Sequence, residues 1–360
     1  MLENSDRVQV IVNARFLTQP ITGVQRFAIE ICRRLKNLLP NIVFVSPKNI
    51  LQKNIANELG VISFGRYTSH FWEQLELPLF LREKNKPLLL NLCNTAPLFY
   101  NKNIICIHDI AFAFNPKWFS PSFVALYKFL IPRIARKSLK VITVSEFSKK
   151  SIINYTSIPK EKIEIVYNGL SDVFLQPLSS QSKTNYQNYL LTVSSIDPRK
   201  NLLSLIKAFR KADLNNLDLL IVGSESKVFA DEGLKEEIKS CPSIIFTGYL
   251  SDDALAACYK NAEIFIYPSL YEGFGIPPLE AMASGVPTIV SSAAALPEIC
   301  GDASLYIDPL YVEDIKTKME LLTKNKVLRQ ELVQKGRKQV ERYSWDKSAA
   351  KVACLLKQYL

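Results

Sequence analysis

Side chains that bind metal ions are scarce in this sequence. It has two histidines among 360 residues, no Asp-x-Asp pair, and seven cysteines that form no Cys-x-x-Cys motif. Metal sites in proteins draw on these residue types at short spacing. We therefore expect no bound metal, no cofactor, and reduced cysteines that pack in the core.

Long apolar runs are also missing. No stretch approaches the roughly twenty apolar residues that span a bilayer, and the N-terminal MLENSDRVQV lacks the apolar core of a signal peptide. The hydrophobic content of 48% is nevertheless enough for two ordinary α/β domains. The sequence therefore predicts a cytoplasmic protein.

Acidic residues are sparse in the first half only. Residues 1–180 hold 23 Lys and Arg against 12 Asp and Glu, whereas residues 181–360 hold 22 of each sign. The whole net charge of +11 thus lies in the first half, most densely in an amphipathic segment at 124–140. This pattern predicts docking on an anionic membrane surface, and the alternative is an ordinary helix with a solvated basic face.

Strands and helices alternate along both halves, which is typical of parallel sheets covered on both faces. The polar segment 174–188 has no apolar periodicity and is predicted to be a linker. It separates an N-terminal domain, 1–173, from a C-terminal domain, 189–344. The predicted strands are 8–14, 88–92, 103–109 and 140–145, then 189–195, 218–223, 243–248, 263–269 and 287–292.

The segment Tyr271–Pro287 places two carboxylates, Glu272 and Glu280, around a glycine-rich turn that opens a helix. A buried strand precedes it, so the unit is strand, loop and helix, and ligands of open α/β sheets bind at such strand ends. The helix N-terminus favours phosphate, and the carboxylates suit sugar hydroxyls. The alternative is structural, because a carboxylate in the first turn of any helix is electrostatically favoured.

This segment resembles the signature of the retaining nucleotide-sugar glycosyltransferases of glycosyltransferase family four, and the likeness continues through Leu296 to Pro309. The resemblance implies the GT-B fold, an α/β architecture of two Rossmann-like, doubly wound domains that face each other across a cleft. It also implies that the C-terminal helix, 345–360, crosses back to the first domain. By resemblance, Glu272 with Phe274 and Gly275 holds the donor sugar, and Glu280 binds the ribose.

Two cations follow the strand at 189–195. Arg199 and Lys200 precede a predicted helix whose cap is Asn201. Cations oppose the helix dipole at that position, so a function in neutralising a leaving diphosphate is favoured over a plain surface pair. The family carries a lysine where this chain has Lys200.

The first half offers two further donor contacts. Gly23 opens the first helix and would let a backbone amide approach a diphosphate, although helix capping explains it about as well. His108 follows a strand, and the resemblance implies a contact with the donor sugar. The alternative is a histidine held by a backbone carbonyl.

The resemblance extends to a mannosyltransferase-like branch of bacterial surface-polysaccharide assembly. It implies acceptor contacts from a set of polar and aromatic residues: Trp72, Glu73, Gln74, Asn91, Asn94 and Thr95. Trp72 is equally well explained as a core residue. The nucleotide base is expected near Tyr249 and Leu250, and nothing in that stretch separates guanine from uracil.

The resemblance implies a retaining hexosyltransferase whose donor is a nucleotide sugar, first of all GDP-mannose, and whose acceptor is lipid-linked or an oligosaccharide. The scarcity of metal ligands adds the expectation that it is metal-independent, and the basic first half adds the expectation that it lies at the inner face of the membrane. The alternatives are a transferase for UDP- or dTDP-sugars, a GT-B epimerase, and a GT-B partner subunit without catalysis. A nucleic-acid-binding protein is a remote alternative, since no aromatic-interleaved basic module is present. The oligomeric state is not predicted.

Overall fold

The structure is a computed structural model that describes residues 9–176, 184–194, 197–214, 216–223, 238 and 241–360. The chain divides into two compact units. The first unit runs to Gly169 and includes Ser344–Leu360, and the second runs from Leu170 to Tyr343. Of the predicted linker 174–188, residues 177–183 lie outside the described part of the chain. Phe174 is buried in a short helix rather than exposed in a linker.

Each unit contains one parallel sheet. The strands of the first unit are β1 Val10–Asn13, β2 Ile42–Ser46, β3 Ile62–Ser63, β4 Leu88–Asn91, β5 Asn103–Cys106, β6 Lys140–Thr143 and β7 Ile163–Ile165. Those of the second unit are β8 Tyr189–Val193, β9 Asp218–Val222, β10 Ile244–Gly248, β11 Ile264–Tyr267, β12 Thr288–Ser291 and β13 Ser304–Ile307.

Both sheets have the doubly wound strand order of a Rossmann fold. The order is β3-β2-β1-β4-β5-β6-β7 in the first sheet and β10-β9-β8-β11-β12-β13 in the second. Successive strands are therefore added in one direction from β1 and in the opposite direction from β4, and the same change occurs between β8 and β11, while all strands stay parallel. These are the two topological switch points, and the carboxyl ends of the strands there open a crevice. The predicted fold class of two Rossmann-like domains is confirmed.

Helices connect the strands. In the first unit these are α1 Gly23–Leu38, α2 Lys53–Leu59, α3 Ser69–Phe71, α4 Leu77–Glu83, α5 Ala111–Phe114, α6 Pro121–Lys137 and α7 Glu146–Thr156. In the second unit they are α8 Asp172–Leu175, α9 Leu202–Lys211, α10 Asp252–Lys260, α11 Ile276–Ala283, α12 Leu296–Cys300, α13 Val312–Lys324 and α14 Lys326–Val340. The last helix, α15 Trp345–Lys357, packs on α1 in the first unit.

Five short helical segments occur among the described residues besides the α-helices. A π-helix, Trp72–Glu76, joins α3 to α4 without a break. Single 3-10 turns occur at Arg15–Thr18, Pro116–Trp118, Lys160–Lys162 and Pro198–Lys200. π-helical turns inside α-helices are often found at functional sites.

The final helix joins the first unit through its aromatic start. Trp345 is 2% exposed, and its ring meets the edge of Phe27 at 6.0 Å between centroids. Gly169 lies so close that an added Cβ would stand 2.3 Å from the Trp345 nitrogen. The predicted return of this helix to the first unit is thereby observed, with Trp345 as its anchor.

The amphipathic segment predicted at 124–140 forms α6, which starts three residues earlier and ends at Lys137. Val124, Leu130 and Ile134 pack in the core, and Pro132 lies within the helix. No helix in the described residues is long and apolar enough to cross a membrane.

Candidate active site

The switch point of the second sheet brings one predicted cation, Lys200, and one predicted carboxylate, Glu272, together. The 3-10 turn after β8 carries Lys200, and the loop after β11 carries Glu272. Lys200 Nζ donates to Glu272 Oε1 at 2.6 Å. The same ammonium donates at 2.6 Å to the hydroxyl of Tyr267, which donates at 3.1 Å to Glu272 Oε1. The three groups thus form a closed triangle at the carboxyl ends of adjacent strands.

The triangle is largely buried but reaches the surface. The side chains of Lys200 and Glu272 are 12% and 10% exposed. Burial alone would raise the pKa of Glu272, but the neighbouring Lys200 and Arg199 hold that pKa below its usual value. Burial likewise opposes the charge on Lys200, yet Glu272 holds the pKa of the lysine above its usual value. Both groups are therefore ionised at neutral pH.

Backbone contacts fix the loop that carries the cations. Arg199 lies beside Lys200, and its carbonyl accepts from the amide of Leu270 at 2.8 Å. The predicted cap by Asn201 is wrong: it occupies the cap position with φ 58°, but its side chain makes no cap bond. Its amide donates instead to the carbonyls of Pro268 and Pro309, at 3.2 and 2.7 Å. Asn201 therefore joins the loops after β8, β11 and β13.

Glu280 lies in α11, one turn beyond the helix start, and is 8% exposed. Its Oε2 accepts from the hydroxyl of Tyr259 at 3.0 Å. Gly275 precedes the helix with φ +98°, and an added Cβ would stand 2.5 Å from the Leu296 side chain. Glycine is required there both by backbone conformation and by space.

The remaining predicted donor contacts lie on neighbouring segments. Phe274 is buried, with its ring against the edge of Tyr343 at 5.5 Å. Tyr249 follows β10 and is 80% exposed, and Leu250 beside it is partly buried. Their roles toward a sugar or a base stay predictions.

In the first unit, His108 follows β5 and is 5% exposed. Its Nε2 lies 2.9 Å from the Leu92 carbonyl, and its backbone amide donates to the Asn94 side chain at 2.8 Å. Burial lowers the pKa of His108, so the ring is neutral at physiological pH. The alternative of a histidine held by a backbone carbonyl is therefore observed, and the contact of His108 with the donor sugar stays a prediction.

Gly23 is the first residue of α1, and the cap in front of it is built by side chains. Thr22 and Gln25 form a capping box, in which the amide of Thr22 donates to Gln25 Oε1 at 3.1 Å. Gln25 Nε2 donates to Gln19 at 2.7 Å. The capping explanation is observed, and a diphosphate contact by Gly23 stays a prediction.

The residues predicted to bind an acceptor sugar are mostly internal. Trp72 is fully buried, and its indole donates to the Phe64 carbonyl at 3.0 Å, so the predicted acceptor contact by this side chain is wrong and the core alternative holds. Gln74 donates to the Ala96 carbonyl at 2.9 Å. Asn91 accepts from Asn13 at 3.1 Å. These contacts support the loops that follow β1 and β4.

A buried ion pair that sequence reasoning missed lies at the first switch point. Arg15 Nε donates to Glu73 Oε2 at 3.1 Å, and the side chains are 6% and 1% exposed. Glu73 Oε2 also accepts from Asn13 at 2.9 Å and from Thr95 at 3.1 Å. In the sequence, Arg15 is a charged residue that follows a buried strand and one alanine. This pattern is too common to predict an ion pair.

No cluster of His, Cys, Asp or Glu suited to a metal ion occurs among the described residues. The free cysteines include four that are buried: Cys32, Cys106, Cys258 and Cys300.

Comparison with protein families finds one match. Residues 176–339 match the family described as Glycosyl transferases group 1. The matched region contains both switch-point strands of the second unit and the Lys200, Glu272 and Glu280 positions.

Two curated relatives are mannosyltransferases. The chain is 32% identical over 247 residues to the O-antigen chain mannosyltransferase RfbU of Salmonella typhimurium, which covers 68% of this chain and 66% of that protein. It is 24% identical over 370 residues to the O-antigen chain mannosyltransferase B of Escherichia coli, covering 94% and 97%. The chain thus spans just under two thirds of the first relative and nearly all of the second.

Among solved structures, Anabaena Alr3699/HepE in complex with UDP and glucose superposes with a TM-score of 0.78 at 14% identity. The match covers 98% of this chain and 100% of that one. At this identity the likeness shows the shared fold.

Proposed function

We propose that the chain, whose residues 176–339 match the family described as Glycosyl transferases group 1, is a glycosyltransferase that moves mannose from GDP-mannose to a lipid-linked or oligosaccharide acceptor in surface-polysaccharide assembly. The mannosyl donor is inferred from the two O-antigen relatives. The second unit would bind the donor, and the first unit would bind the acceptor. We propose that transfer is retaining and independent of metal ions.

The observation that carries this proposal is the Lys200–Glu272 pair at the switch point of the second sheet. A cation beside a carboxylate suits a ligand that has both a diphosphate and a hydroxyl-rich sugar. In this proposal Lys200 and Arg199 neutralise the departing diphosphate, Glu272 accepts hydrogen bonds from the sugar, and Glu280 accepts them from the ribose. The amides at Phe274 and Gly275 would face the sugar.

The proposed chemistry is front-face substitution. The bond from the anomeric carbon to the diphosphate oxygen breaks, and the acceptor oxygen bonds to the same face of that carbon. The proton of the acceptor hydroxyl passes to the leaving diphosphate, so no separate protein base is needed. The work of the protein is then positioning and charge neutralisation, which together supply large rate factors.

A place at the inner face of the cell membrane is part of the proposal. Lys128, Arg133 and Lys137 on α6 are exposed together with Leu126 and Phe129. The guanidinium of Arg133 lies 3.9 Å from the centre of the Phe129 ring. Exposed aromatic and basic groups on one helix suit the anionic surface of a cytoplasmic leaflet.

The proposal is tested by measuring thermal stabilisation with GDP, UDP and dTDP in EDTA. A nucleotide at one hundred times its Kd adds about 2.7 kcal/mol of stability, and we expect GDP to give the largest shift in Tm. Transfer of labelled mannose from GDP-mannose to extracted lipid acceptors should then proceed without a divalent ion.

Two variants divide the nucleotide contacts from the sugar contacts. Glu280→Ala should weaken GDP binding by about 2 kcal/mol, the scale of a hydrogen bond to a charged group. Glu272→Ala should leave GDP affinity intact or raise it, because Lys200 loses its competing partner, while transfer falls. Stabilisation by UDP alone would mean that the donor is a UDP-sugar and not GDP-mannose. Release of free nucleotide without an acceptor would favour an epimerase, and equal losses of GDP affinity in both variants would contradict the division.

A further inference from the structure

Two buried tyrosine hydroxyls contact the two carboxylates of the candidate donor site. Tyr267, the last residue of β11, donates to Glu272 Oε1 at 3.1 Å. Tyr259 on α10 donates to Glu280 Oε2 at 3.0 Å. Both rings are almost fully buried, at 1% and 0% exposure. Each carboxylate therefore accepts a hydrogen bond from a buried phenol.

Both phenols keep their protons at physiological pH. Burial raises the pKa of Tyr267 to about 12, and burial with the adjacent Glu280 raises the pKa of Tyr259 well above its usual value. A phenol has one proton to donate. A hydrogen bond from a donor whose own position is fixed holds the carboxylate in one orientation.

The rings themselves are fixed by aromatic packing. Tyr259 meets the edge of Phe174 at 5.7 Å and lies 5.4 Å from Phe265. Tyr267 stacks on Phe265 at 5.9 Å, and the ammonium of Lys200 lies 5.0 Å from the centre of the Tyr267 ring. The hydroxyls are therefore presented by rigid elements rather than by loops.

We propose that Tyr259 and Tyr267 are positioning residues, one for each half of the nucleotide sugar. This rests on the donor roles proposed above for Glu280 and Glu272. Tyr259 aims Glu280 at the ribose and so governs nucleotide affinity. Tyr267 aims Glu272 at the sugar and accepts from Lys200, and so governs the transfer step.

The geometry makes the two effects separable. Tyr267 bonds to both members of the ion pair, so its hydroxyl stays on Glu272 when the diphosphate draws Lys200 away. Without that hydroxyl, Glu272 would lose its contacts with both Lys200 and Tyr267 at the moment when charge develops on the leaving group. Tyr259 has no such link to Lys200, and it lies on the helix that begins just after Tyr249 and Leu250.

The test removes one oxygen at a time. Tyr259→Phe and Tyr267→Phe keep the rings, and Tyr189→Phe is the matched control. Tyr189 is equally buried in the same sheet, but its hydroxyl donates to the Cys258 carbonyl at 2.7 Å and not to a donor carboxylate. GDP, UDP and dTDP are titrated by calorimetry, and the nucleotide that binds the wild type best is the probe.

We expect Tyr259→Phe to raise the Kd of that nucleotide about tenfold, with kcat changed less than about twofold. Tyr267→Phe should leave the Kd within about twofold and lower kcat about tenfold. Tyr189→Phe should lower Tm without moving either constant. These splits between Kd and kcat are not expected of a loss of stability alone.

If no nucleotide binds the wild type, the proposed function is wrong. If a nucleotide binds and both site variants behave like Tyr189→Phe, the donor function stands and the positioning roles are overturned.

Discussion

The ion pair of Arg15 and Glu73 should make the first unit sensitive to acid, and Glu73→Gln isolates this effect. Glu73 is 1% exposed and accepts from Asn13, Arg15 and Thr95. Burial would raise the pKa of this carboxyl, but Arg15 and His70 lower it to about 2. The ordinary value is 4.5, so the folded state binds the proton far more weakly than the unfolded state.

A carboxyl whose folded pKa is depressed stabilises the protein at pH values above its unfolded pKa. The difference between 4.5 and about 2 corresponds to about 3 kcal/mol at neutral pH. This stabilisation is lost as the pH falls from 4.5 toward 2. Between pH 5 and pH 3 the loss should be about 2 kcal/mol.

The assay is urea unfolding followed by circular dichroism at several pH values between 5 and 3. Wild type should lose about 2 kcal/mol more across this range than Glu73→Gln. Glu76→Gln is the control, because Glu76 lies in the same π-helix but accepts from the backbone amides of Arg66 and Tyr67. Parallel pH curves for wild type and Glu73→Gln would refute the reasoning.

Three further predictions concern ligands. Lys200→Ala should lower kcat more than it raises the donor KM, because charge on the diphosphate grows during transfer; full activity would reject the assignment. Gly275→Ala should weaken donor binding more than Gly285→Ala, since both have positive φ but only the first brings a Cβ within 2.5 Å of a leucine side chain; binding assays with equal losses would contradict this. Reversing three exposed cations of α6 to Glu should cost about 1 kcal/mol per charge in binding to anionic vesicles, and equal reversals on α14 should not. The three cations are Lys128, Arg133 and Lys137.

Local patterns predicted five of the six strands of the second unit, β8 to β12, and missed β13 at the edge of its sheet. Buried strands followed by glycine or polar loops mark the carboxyl ends of β8 and β11, and parallel strands bring those ends to one edge. Lys200 and Glu272 therefore lie at the same edge of the sheet, where their opposite charges pair. The first unit was harder, because β2, β3 and β7 went unpredicted. β3 has two exposed residues, too few to show an alternating pattern.

The partners of the predicted residues could not be derived in the same way. Tyr267 is part of an apolar run, where an aromatic residue predicts a strand and says nothing of its hydroxyl. Its bond to Lys200 joins positions 67 residues apart. Asn201 shows the opposite error, because a local cap rule was overridden by two carbonyls that only the folded sheet brings close.

The two switch points differ in how far water reaches them, and this difference separates their roles. The pair at the second switch point keeps 12% and 10% of its side chains exposed, whereas the pair at the first keeps 6% and 1%. At the more exposed pair, Lys200 and Glu272, a ligand can replace the contacts between the two side chains, because its own charged and polar groups take the place of those that it displaces. It cannot do so at a sealed pair without leaving a buried charge unpaired, which costs several kcal/mol. Chemistry on a diphosphate is therefore expected at Lys200 and Glu272, while Arg15 and Glu73 set the shape of the loops around them in the first unit.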